Sequence, residues 1–463
     1  MRSAILWDQV LGPLTDRGRC QFASHLTQED VVQLEKHVFQ LSPRAIRLHP
    51  RILLEHLPFE TLPVPWYTAG RLLKNSHIRP GSYLQYAAGD YYIQDASSML
   101  ALAACQIEPE MWVCDCCASP GGKATGIAEA LAGTGLLVAN EVITSRLELL
   151  NHALCRAGFG NHFITNYELE DLSKVCGAAF DRVLVDAPCS GQSMIVRGKQ
   201  SLSAFSGEQM HHSSLRQQRI LCAATRLVRP GGRLIYSTCT YAFIENEGAI
   251  SQFLSTHPKW RHVTIPELNA WQSPLLEGCY RLWPHRDPCA GAFVAVLTHD
   301  GDELQETCPD EPQRPNKWML HQPPSFSNLP WLEALSEGHW GTRRGVMHWF
   351  APQIPSTWLP FAHSGIPIAE LKSHSNNPLY GAATLTNTSF RARHSIDLDD
   401  MQASQFVGGM TIKLPTSSKQ TSGWHAIHWQ KRALGWGKVT DQILKNHFPK
   451  LLRQHGLSVG QST

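Results

Sequence analysis

Three cysteines, a proline, two glycines and a lysine share one short stretch of the chain, CDCCASPGGKATG at residues 114–126. Residues of these types bind metal ions, exchange disulfides, hold phosphates or surround a cofactor. Their spacing indicates which of these four kinds of site the stretch forms. Zinc sites need paired ligands two to four residues apart and a second such pair. We expect Cys116 to point away from Cys114 and Cys117 on a predicted strand. The sequence therefore predicts no metal site.

The redox and phosphate-binding interpretations also fit the spacing poorly. A thioredoxin-like site has two cysteines flanking two residues where a helix begins, whereas CDCC lies where a strand ends. A Walker A loop needs a glycine, four residues and then Gly-Lys-Ser/Thr. Gly122 and Lys123 are followed by Ala124 and are preceded at the required position by Cys117.

The remaining interpretation is a cofactor loop. A strand, a Pro-Gly-Gly turn and a helix beginning near Lys123 would let the backbone approach a ligand and direct free N–H groups at it. Glu141 ends the next predicted strand, where folds of this kind hydrogen-bond a ribose diol. An ordinary strand-to-helix turn with a surface glutamate remains the alternative for these features alone.

Two further predicted strands end in cysteines. VLVDAPCSG brings Asp186 and Cys189 to the end of one strand, and LIYSTCT brings Cys239 to the end of the next. The carboxyl ends of parallel strands form the ligand-binding edge of an open α/β sheet. A single buried cysteine is usually a small core residue, but two at neighbouring strand ends beside a cofactor loop favour a reactive site.

Two cysteines at one site suggest pyrimidine chemistry. Carbon 5 of cytosine is too weak a nucleophile to attack a methyl sulfonium, and addition of a thiolate to carbon 6 moves electron density onto carbon 5. Asp186 could hold the exocyclic amine or a ring nitrogen, and Lys123 could lower a thiol pKa or bind nearby anionic groups.

Four motifs in order, CASPGGK, NEVITSR, DAPCSG and STCT, resemble the RNA cytosine-5 methyltransferases of the NOL/NOP2/Sun family, and YYIQDASSML and RLWPHRDPCAGAFVAVL extend the resemblance over residues 91–297. The resemblance implies S-adenosyl-L-methionine (SAM) as the cofactor, Cys239 as the nucleophile and Cys189 as the group that assists product release. It implies Asp186 and Lys123 at the reacting groups, and SAM contacts from Glu141 to the ribose, from Glu168 to the adenine and from Arg146. The methionine part of SAM would contact the loop of Cys117, Ala118, Ser119, Pro120, Gly121, Gly122 and Lys123.

Apolar runs that alternate with stretches of helical periodicity predict an α/β fold with a doubly wound, mostly parallel sheet. The resemblance implies the Rossmann-like fold of class I SAM-dependent methyltransferases. The predicted strands are 111–116, 135–141, 162–165, 181–187, 232–238 and 292–297.

Four domains are predicted. Residues 1–90 form an N-terminal α/β RNA-binding domain, 91–300 the catalytic domain, 301–365 an acidic linker and intermediate subdomain, and 366–463 a β-rich PUA-like RNA-binding domain. The last segment resembles the C-terminal module of a bacterial branch of the family whose members methylate small-subunit ribosomal RNA. Arg44, Arg47 and Arg51 resemble the family's N-terminal RNA-contacting segment. Trp424, Trp429 and Trp436 either stack on bases or fill the small β core.

Composition narrows the cellular setting. The net charge of +2 over 463 residues gives no general attraction to nucleic acid, so RNA binding would need local patches such as residues 421–463, which carry six Lys or Arg and one acid. Thirteen cysteines in so long a chain favour a reducing compartment. With no signal peptide or membrane span predicted, we expect a cytoplasmic monomer whose partner is ribosomal RNA or the small ribosomal subunit.

Three other functions remain open. An amino-group methyltransferase would place Pro-Pro-aromatic, rather than Pro-Cys, after the acid of DAPC. A tRNA cytosine-5 methyltransferase would share every motif. A non-catalytic RNA-binding ribosome assembly factor would keep the fold without the reaction, although both cysteines are present.

Overall fold

A computed structural model of the protein describes residues 7–11, 26–301, 316–373, 376–385, 390–415, 420–454 and 457. Most of the acidic linker predicted around residues 299–317 lies outside the described residues. Within the described residues, four β-sheets of four or more strands follow one another along the chain.

The N-terminal part is a four-stranded antiparallel sheet with a helix beside it. Thr27 caps that helix in a capping box with Asp30. The sheet has the order β2-β3-β1-β4. The elements are α1 (Trp7–Val10), α2 (Gln28–Val38), β1 (Ala45–Leu48), β2 (Thr61–Val64), β3 (Tyr67–Leu73), α3 (Leu84–Ala87) and β4 (Tyr91–Ile93).

The central part confirms the doubly wound, mostly parallel sheet. Its strands have the order β10-β12-β9-β8-β5-β6-β7, with β11 also paired to β12, and β5 to β9 are parallel. The elements are α4 (Met99–Cys105), β5 (Trp112–Asp115), α5 (Gly122–Ala130), β6 (Leu136–Asn140), α6 (Leu147–Ala157), β7 (His162–Thr165), α7 (Leu169–Cys176), β8 (Phe180–Asp186), α8 (Gly207–Thr225), β9 (Val228–Thr238), α9 (Glu247–Thr256), β10 (Trp260–His262), β11 (Cys279–Leu282) and β12 (Ala292–His299).

Helices cover both faces of this sheet. Side chains of α4, α5 and α6 share one apolar core with it, and side chains of α7, α8 and α9 share another. Five strands from β5 to β9 are buried at nearly every position, because a parallel sheet covered on both faces has no solvent side. That burial explains why the predicted strands had continuous apolar runs.

A third sheet, β13-β15-β16-β17-β18, follows the acidic linker and covers one edge of the central sheet. The backbone of Ile164 on β7 exchanges hydrogen bonds with His363 and Ser364, and Trp358 packs edge-on against Trp112. A covered edge strand cannot pair with another chain. The elements are β13 (Met319–His321), β14 (Leu332–Ala334), β15 (His339–Arg343), β16 (Val346–Phe350), β17 (Ile366–Glu370), β18 (Asn377–Pro378) and α10 (Tyr380–Thr384).

The C-terminal part is the predicted β-rich module. Its sheet has the order β20-β22-β23-β24-β21, and Trp429 and Trp436 are only 2% exposed within it. The elements are β19 (Arg391–Ala392), which pairs with β14, then β20 (Ser395–Leu398), α11 (Asp400–Val407), β21 (Ile412–Lys413), β22 (Gly423–Trp429), β23 (Arg432–Thr440) and β24 (Ile443–Asn446).

Two predicted domain boundaries cut through sheets. Strand β4 pairs with β1, so the N-terminal sheet continues past residue 90. Strands β17 and β18 belong to the third sheet, which therefore continues past residue 365 to Pro378. Strand pairing joins residues that are distant in sequence, and the local patterns used for the boundaries do not contain it.

Candidate active site

A cavity of about 650 Å³ opens at the carboxyl ends of the parallel strands. It lies where the strand order reverses between β5 and β8, which is the ligand-binding position of open α/β sheets. Loops after β5, β6, β7, β8 and β9 and one side of α8 form its wall. Of the residues predicted from the sequence, the wall contains Cys117, Ser119, Glu141, Arg146, Glu168, Asp186, Cys189 and Cys239.

The two predicted reactive cysteines are neighbours in the cavity wall. The Sγ atoms of Cys189 and Cys239 are 3.2 Å apart, and both side chains are partly exposed to the cavity. A hydrogen bond from Cys189, with smaller contributions from Lys123 and Ser193, lowers the pKa of Cys239 below its ordinary value despite burial. The same hydrogen bond, together with burial, raises the pKa of Cys189. Of the two thiols, Cys239 is therefore the one that loses its proton first, and Cys189 is the one that keeps it.

Lys123 forms an ion pair with Asp186 beside the cysteines. The Nζ atom of Lys123 is 2.7 Å from Oδ2 of Asp186. Burial alone would lower the pKa of Lys123, but the charge and hydrogen bond of Asp186 outweigh burial and raise it. Lys123 consequently remains an ammonium group, and the field of that charge favours the thiolate of Cys239.

A buried carboxylate connects the two cysteine-bearing loops. Glu245 accepts hydrogen bonds from the amide and hydroxyl of Ser190 and from the amide of Gln217, at 2.9, 2.6 and 2.9 Å. The hydroxyl of Ser190 also lies 2.8 Å from that of Thr240. Ser190 follows Cys189 and Thr240 follows Cys239, so Glu245 fixes both loops. We did not predict Glu245 or Gln217, since no motif marks them in the sequence.

The glycines of the predicted cofactor loop are in contact with the elements that support the loop. Gly121 has φ +107°, and a Cβ atom there would lie 2.7 Å from the Cβ of Ala153 on α6. The carbonyl of Gly122 accepts a hydrogen bond from Arg47. Gly121 therefore permits close packing of the loop on α6, whereas Cys117 and Ser119 contribute the loop's cavity surface.

Glu141 and Arg146 hold the far side of the loop. Glu141 is 4% exposed, and its carboxylate accepts from the amide of Ile143 at 2.9 Å and pairs with Arg146 at 3.1 Å. The hydroxyl of Ser119 donates to the carbonyl of Arg146 at 3.1 Å, and Arg146 donates back to the carbonyl of Ser119. A carboxylate has about four acceptor positions, so Glu141 retains capacity for a diol.

Asp115, at the end of β5, is a buried acid that the sequence argument did not single out. Its side chain is fully buried, and Oδ2 has no hydrogen-bond partner among the described residues. Burial, with repulsion from Asp186, raises the pKa of Asp115 to about 7. Asp115, next to the cofactor loop, is therefore protonated below pH 7 and ionises as the pH rises through 7.

The cavity wall has an acidic part and a basic part. The acids Glu141, Glu168 and Glu170 follow β6 and β7, and the cations Lys199, Arg216 and Arg219 follow β8. The basic part was missed in the sequence because residues 211–228 were interpreted only as a helix with apolar residues at three- and four-residue spacing. Residues 212, 216 and 219 recur at helical spacing, a signal that could have identified this face.

Two structural expectations were wrong. Cys116 does not point away from Cys114: their Sγ atoms are 3.9 Å apart, because side chains two residues apart on a strand lie on the same side. Arg47 is fully buried, with its guanidinium 2.7 Å from Glu129, and cannot contact RNA. Its guanidinium donates to the carbonyl of Gly122 in the cofactor loop and to the hydroxyl of Thr125 in α5.

The described residues contain no group of three or more His, Cys, Asp or Glu arranged to hold a metal ion. None of their helices has the length and hydropathy needed to cross a membrane.

Comparison with known proteins gives a consistent match. Residues 102–298 match the family described as 16S rRNA methyltransferase RsmB/F, and residues 393–454 match the methyltransferase RsmF PUA domain. The ribosomal RNA small subunit methyltransferase F of Aeromonas salmonicida is 30% identical over 421 residues, 85% of this chain and 86% of the relative. The protein of the same name from Klebsiella pneumoniae is 26% identical over 95% of both chains.

Solved structures agree in fold. A methyltransferase homologue from Pyrococcus horikoshii is 25% identical with a TM-score of 0.52, covering 59% of this chain and 91% of that one. NSun6 from the same organism, at 17% identity and a TM-score of 0.51, covers 60% of this chain and 97% of that one and shows the shared fold.

A doubly wound sheet with a cavity at its switch point and a C-terminal PUA domain defines a class of Rossmann-like methyltransferases. Within that class, the chain belongs to the family of ribosomal RNA small subunit methyltransferase F.

Proposed function

We propose that this protein transfers a methyl group from SAM to carbon 5 of a cytosine in small-subunit (16S) ribosomal RNA, with Cys239 as the covalent nucleophile. The observation that carries the proposal is the separation of 3.2 Å between the Sγ atoms of Cys239 and Cys189 at the end of the cavity. Two cysteines in contact, of which Cys239 has the lowered pKa, supply both a nucleophile and a second group for proton transfer.

The cavity residues fit SAM by their chemistry. The nearly buried carboxylate of Glu141 suits a ribose diol, and the acids Glu141, Glu168 and Asp186 suit a sulfonium and an ammonium group. Cys117 and Ser119 would contact the methionine part. When bound there, SAM supplies the activated methyl group.

The protein's own groups account for activation of the base. The thiolate of Cys239 adds to carbon 6 of cytosine, which breaks ring aromaticity and makes carbon 5 nucleophilic. Asp186, placed by Lys123, is the group that holds the exocyclic amine or ring nitrogen as electron density shifts through the ring. Carbon 5 then forms its bond to the methyl group.

Cys189 completes the reaction. Once the sulfur of Cys239 is bonded to carbon 6, it no longer accepts the hydrogen bond of Cys189 and carries no charge, so two of the causes that raised the pKa of Cys189 are gone. Cys189 loses its proton to solvent and takes the proton from carbon 5. The electron pair of that C–H bond restores the double bond, and the bond between Cys239 and carbon 6 breaks.

The substrate assignment rests on the relatives. Proteins of 26 to 30% identity over most of this chain are named ribosomal RNA small subunit methyltransferase F. The N-terminal sheet and the PUA domain are proposed to bind ribosomal RNA, free or in the small subunit, on either side of the cavity. Such an enzyme would act in the cytoplasm, where ribosomes assemble.

Adduct formation on 5-azacytidine-containing small-subunit RNA tests the nucleophile. A covalent protein–RNA complex resistant to denaturing gel electrophoresis is expected for the wild type and not for Cys239→Ala, with Cys222→Ala, an exposed cysteine outside the cavity wall, as the matched control. Bisulfite sequencing of RNA from a deletion strain and its parent identifies the target. The proposal is wrong if no cytosine differs and the wild type forms no adduct.

A further inference from the structure

Three cations form the basic part of the cavity wall, called the basic rim from here on: Lys199, Arg216 and Arg219. None of them takes part in the proposed reaction. All three side chains are exposed and line the cavity. Within the described part of the chain, no ion pair or side-chain hydrogen bond joins Lys199, Arg216 or Arg219 to another residue. Unneutralised cations gathered at one opening repel one another, and a bound anion removes that repulsion.

Helix α8 holds the two arginines of the rim, Arg216 and Arg219, in a fixed geometry. Gln217, on the opposite side of the helix, is fully buried and donates to the carbonyl of Pro188 at 3.1 Å and to Glu245 at 2.9 Å. Arg216 and Arg219 are three residues apart and therefore share one helix face, about 4.5 Å apart along the axis at 1.5 Å per residue. The same hydrogen bonds that fix Cys189 thus fix the rim relative to the nucleophile.

The chemistry of the rim selects a polyanion over the cofactor. SAM carries a single carboxylate, and the acids that suit its cationic groups follow β6 and β7. The cysteines follow β8 and β9, where the target base has to enter. Phosphates on each side of an extruded nucleotide pass the cavity mouth on this side.

We infer that the basic rim binds the backbone phosphates that flank the target cytosine and so holds the RNA strand while the base enters the cavity. The inference rests on the proposed function, because it takes RNA as the substrate. Backbone contacts of this kind position the strand without reading its sequence.

The salt dependence of RNA binding tests the rim. Each phosphate contact to a single strand contributes about 0.7 to the slope of log affinity against log salt concentration. For an in vitro transcript of small-subunit ribosomal RNA, the double variant Arg216→Gln/Arg219→Gln should lower that slope by about 1.4 relative to the wild type. Its affinity for SAM, measured separately by calorimetry, should stay within twofold.

A matched control removes the same charge elsewhere. Arg229 and Arg261 are exposed and lie toward the amino end of β9, away from the cavity. Arg229→Gln/Arg261→Gln should keep the wild-type slope. An equal slope in the rim variant, the control and the wild type overturns the inference, as does an unchanged slope with weakened SAM binding, which would assign the rim to the cofactor.

Failure of the proposed function would look different. If the wild type forms no adduct and methylates no cytosine, the methyltransferase proposal fails, whatever the salt slopes are. If the wild type is active and the rim variant binds RNA with an unchanged slope, only the rim assignment fails.

Discussion

The carboxylate of Glu245 is hydrogen-bonded to both the amide and the hydroxyl of Ser190, the residue that follows Cys189. Glu245 is fully buried, and burial raises its pKa although four hydrogen-bonding groups oppose that shift. Through Ser190 and Thr240 it fixes the separation of the two cysteine loops. Glu245 is therefore a positioning residue: it acts on the reaction through the loops and touches neither thiol.

Replacing Glu245 by glutamine tests this positioning. Glutamine keeps one oxygen for the amides of Ser190 and Gln217 but turns its NH2 group toward the hydroxyls of Ser190 and Thr240, which then have to accept instead of donate. Loss of the hydrogen bonds to a charged group costs about 1–3 kcal/mol of unfolding free energy. We also expect adduct formation at saturating RNA to slow by about 10- to 100-fold, since small displacements of reacting groups have effects of that size. Single-turnover adduct kinetics give the rate.

The control for Glu245→Gln is Glu247→Gln. Glu247 is equally buried but binds Arg281 and Ser273. It should lose stability with little change in the adduct rate. Equal slowing in both variants would show that Glu245 acts only through general stability.

The two cysteines should give opposite results when each is removed. Cys189→Ala keeps the nucleophile but lacks the group that takes the proton from carbon 5, so an adduct with ordinary cytosine should accumulate. Cys239→Ala should give neither adduct nor methylated product. Denaturing gels with labelled RNA and methyl incorporation from labelled SAM measure the two quantities. Full activity in both variants would contradict the assigned roles.

Much of the site was predictable because each strand of a parallel sheet is an uninterrupted apolar run. Such runs locate strand ends closely, as for His162–Thr165, and residues at neighbouring ends have to meet. Strand ends therefore predicted that Asp186, Cys189 and Cys239 lie together. They did not predict Glu245, which reaches the loops from a turn after β9, or Arg216, whose direction depends on how α8 packs.

The sequence likewise did not predict which charged side chains are buried. Arg44 and Arg47 stand in the same basic stretch, yet Arg44 is exposed and Arg47 is inside the protein. A short strand such as β18 has too few residues to show a period, and its membership in the third sheet follows only from its pairing with β17.

Asp115 should make stability depend on pH. Its pKa is about 7 in the folded protein against 3.8 for an unperturbed side chain, so folding favours the protonated form. The stability contribution is complete below pH 3.8 and is lost as the pH rises through 7, amounting to roughly 4 kcal/mol for a shift of this size. Asp115→Asn removes this dependence and should be more stable relative to wild type at pH 8 than at pH 5.5.

Urea unfolding at the two pH values measures the effect. Asp300→Asn, which changes an exposed carboxyl, serves as the control and should follow the wild type. A difference between Asp115→Asn and the wild type that is the same at both pH values would contradict the assignment.

The buried ion pair of Arg47 and Glu129 should matter for stability and not for RNA affinity. Arg47→Met leaves Glu129 buried and unpaired, which costs about 3–5 kcal/mol, and adding Glu129→Leu should restore most of that loss. Because Arg47 has no exposed surface, the salt dependence of RNA binding should be unchanged in the double variant. A lowered salt slope in the double variant would show that Arg47 contacts RNA.

Trp424 should differ from the other two tryptophans of the C-terminal sheet. Trp429 donates to Asp400 and Trp436 to the carbonyl of Leu379, and both are core residues. Trp424 is partly exposed beside Lys438 and His447, with the ammonium group of Lys438 5.6 Å from its ring centre. An aromatic ring next to a cation is suited to stacking a base beside a phosphate.

Trp424→Ala should therefore weaken RNA binding by about 1–3 kcal/mol while the melting temperature changes little. Trp436→Ala should instead lose about 3–5 kcal/mol of unfolding free energy, because it leaves a cavity in the core. Filter binding to small-subunit RNA and thermal unfolding separate the two effects. Unchanged RNA affinity in Trp424→Ala would show that the PUA domain binds RNA through another surface, since Trp424 is the one tryptophan of β22 that is partly exposed.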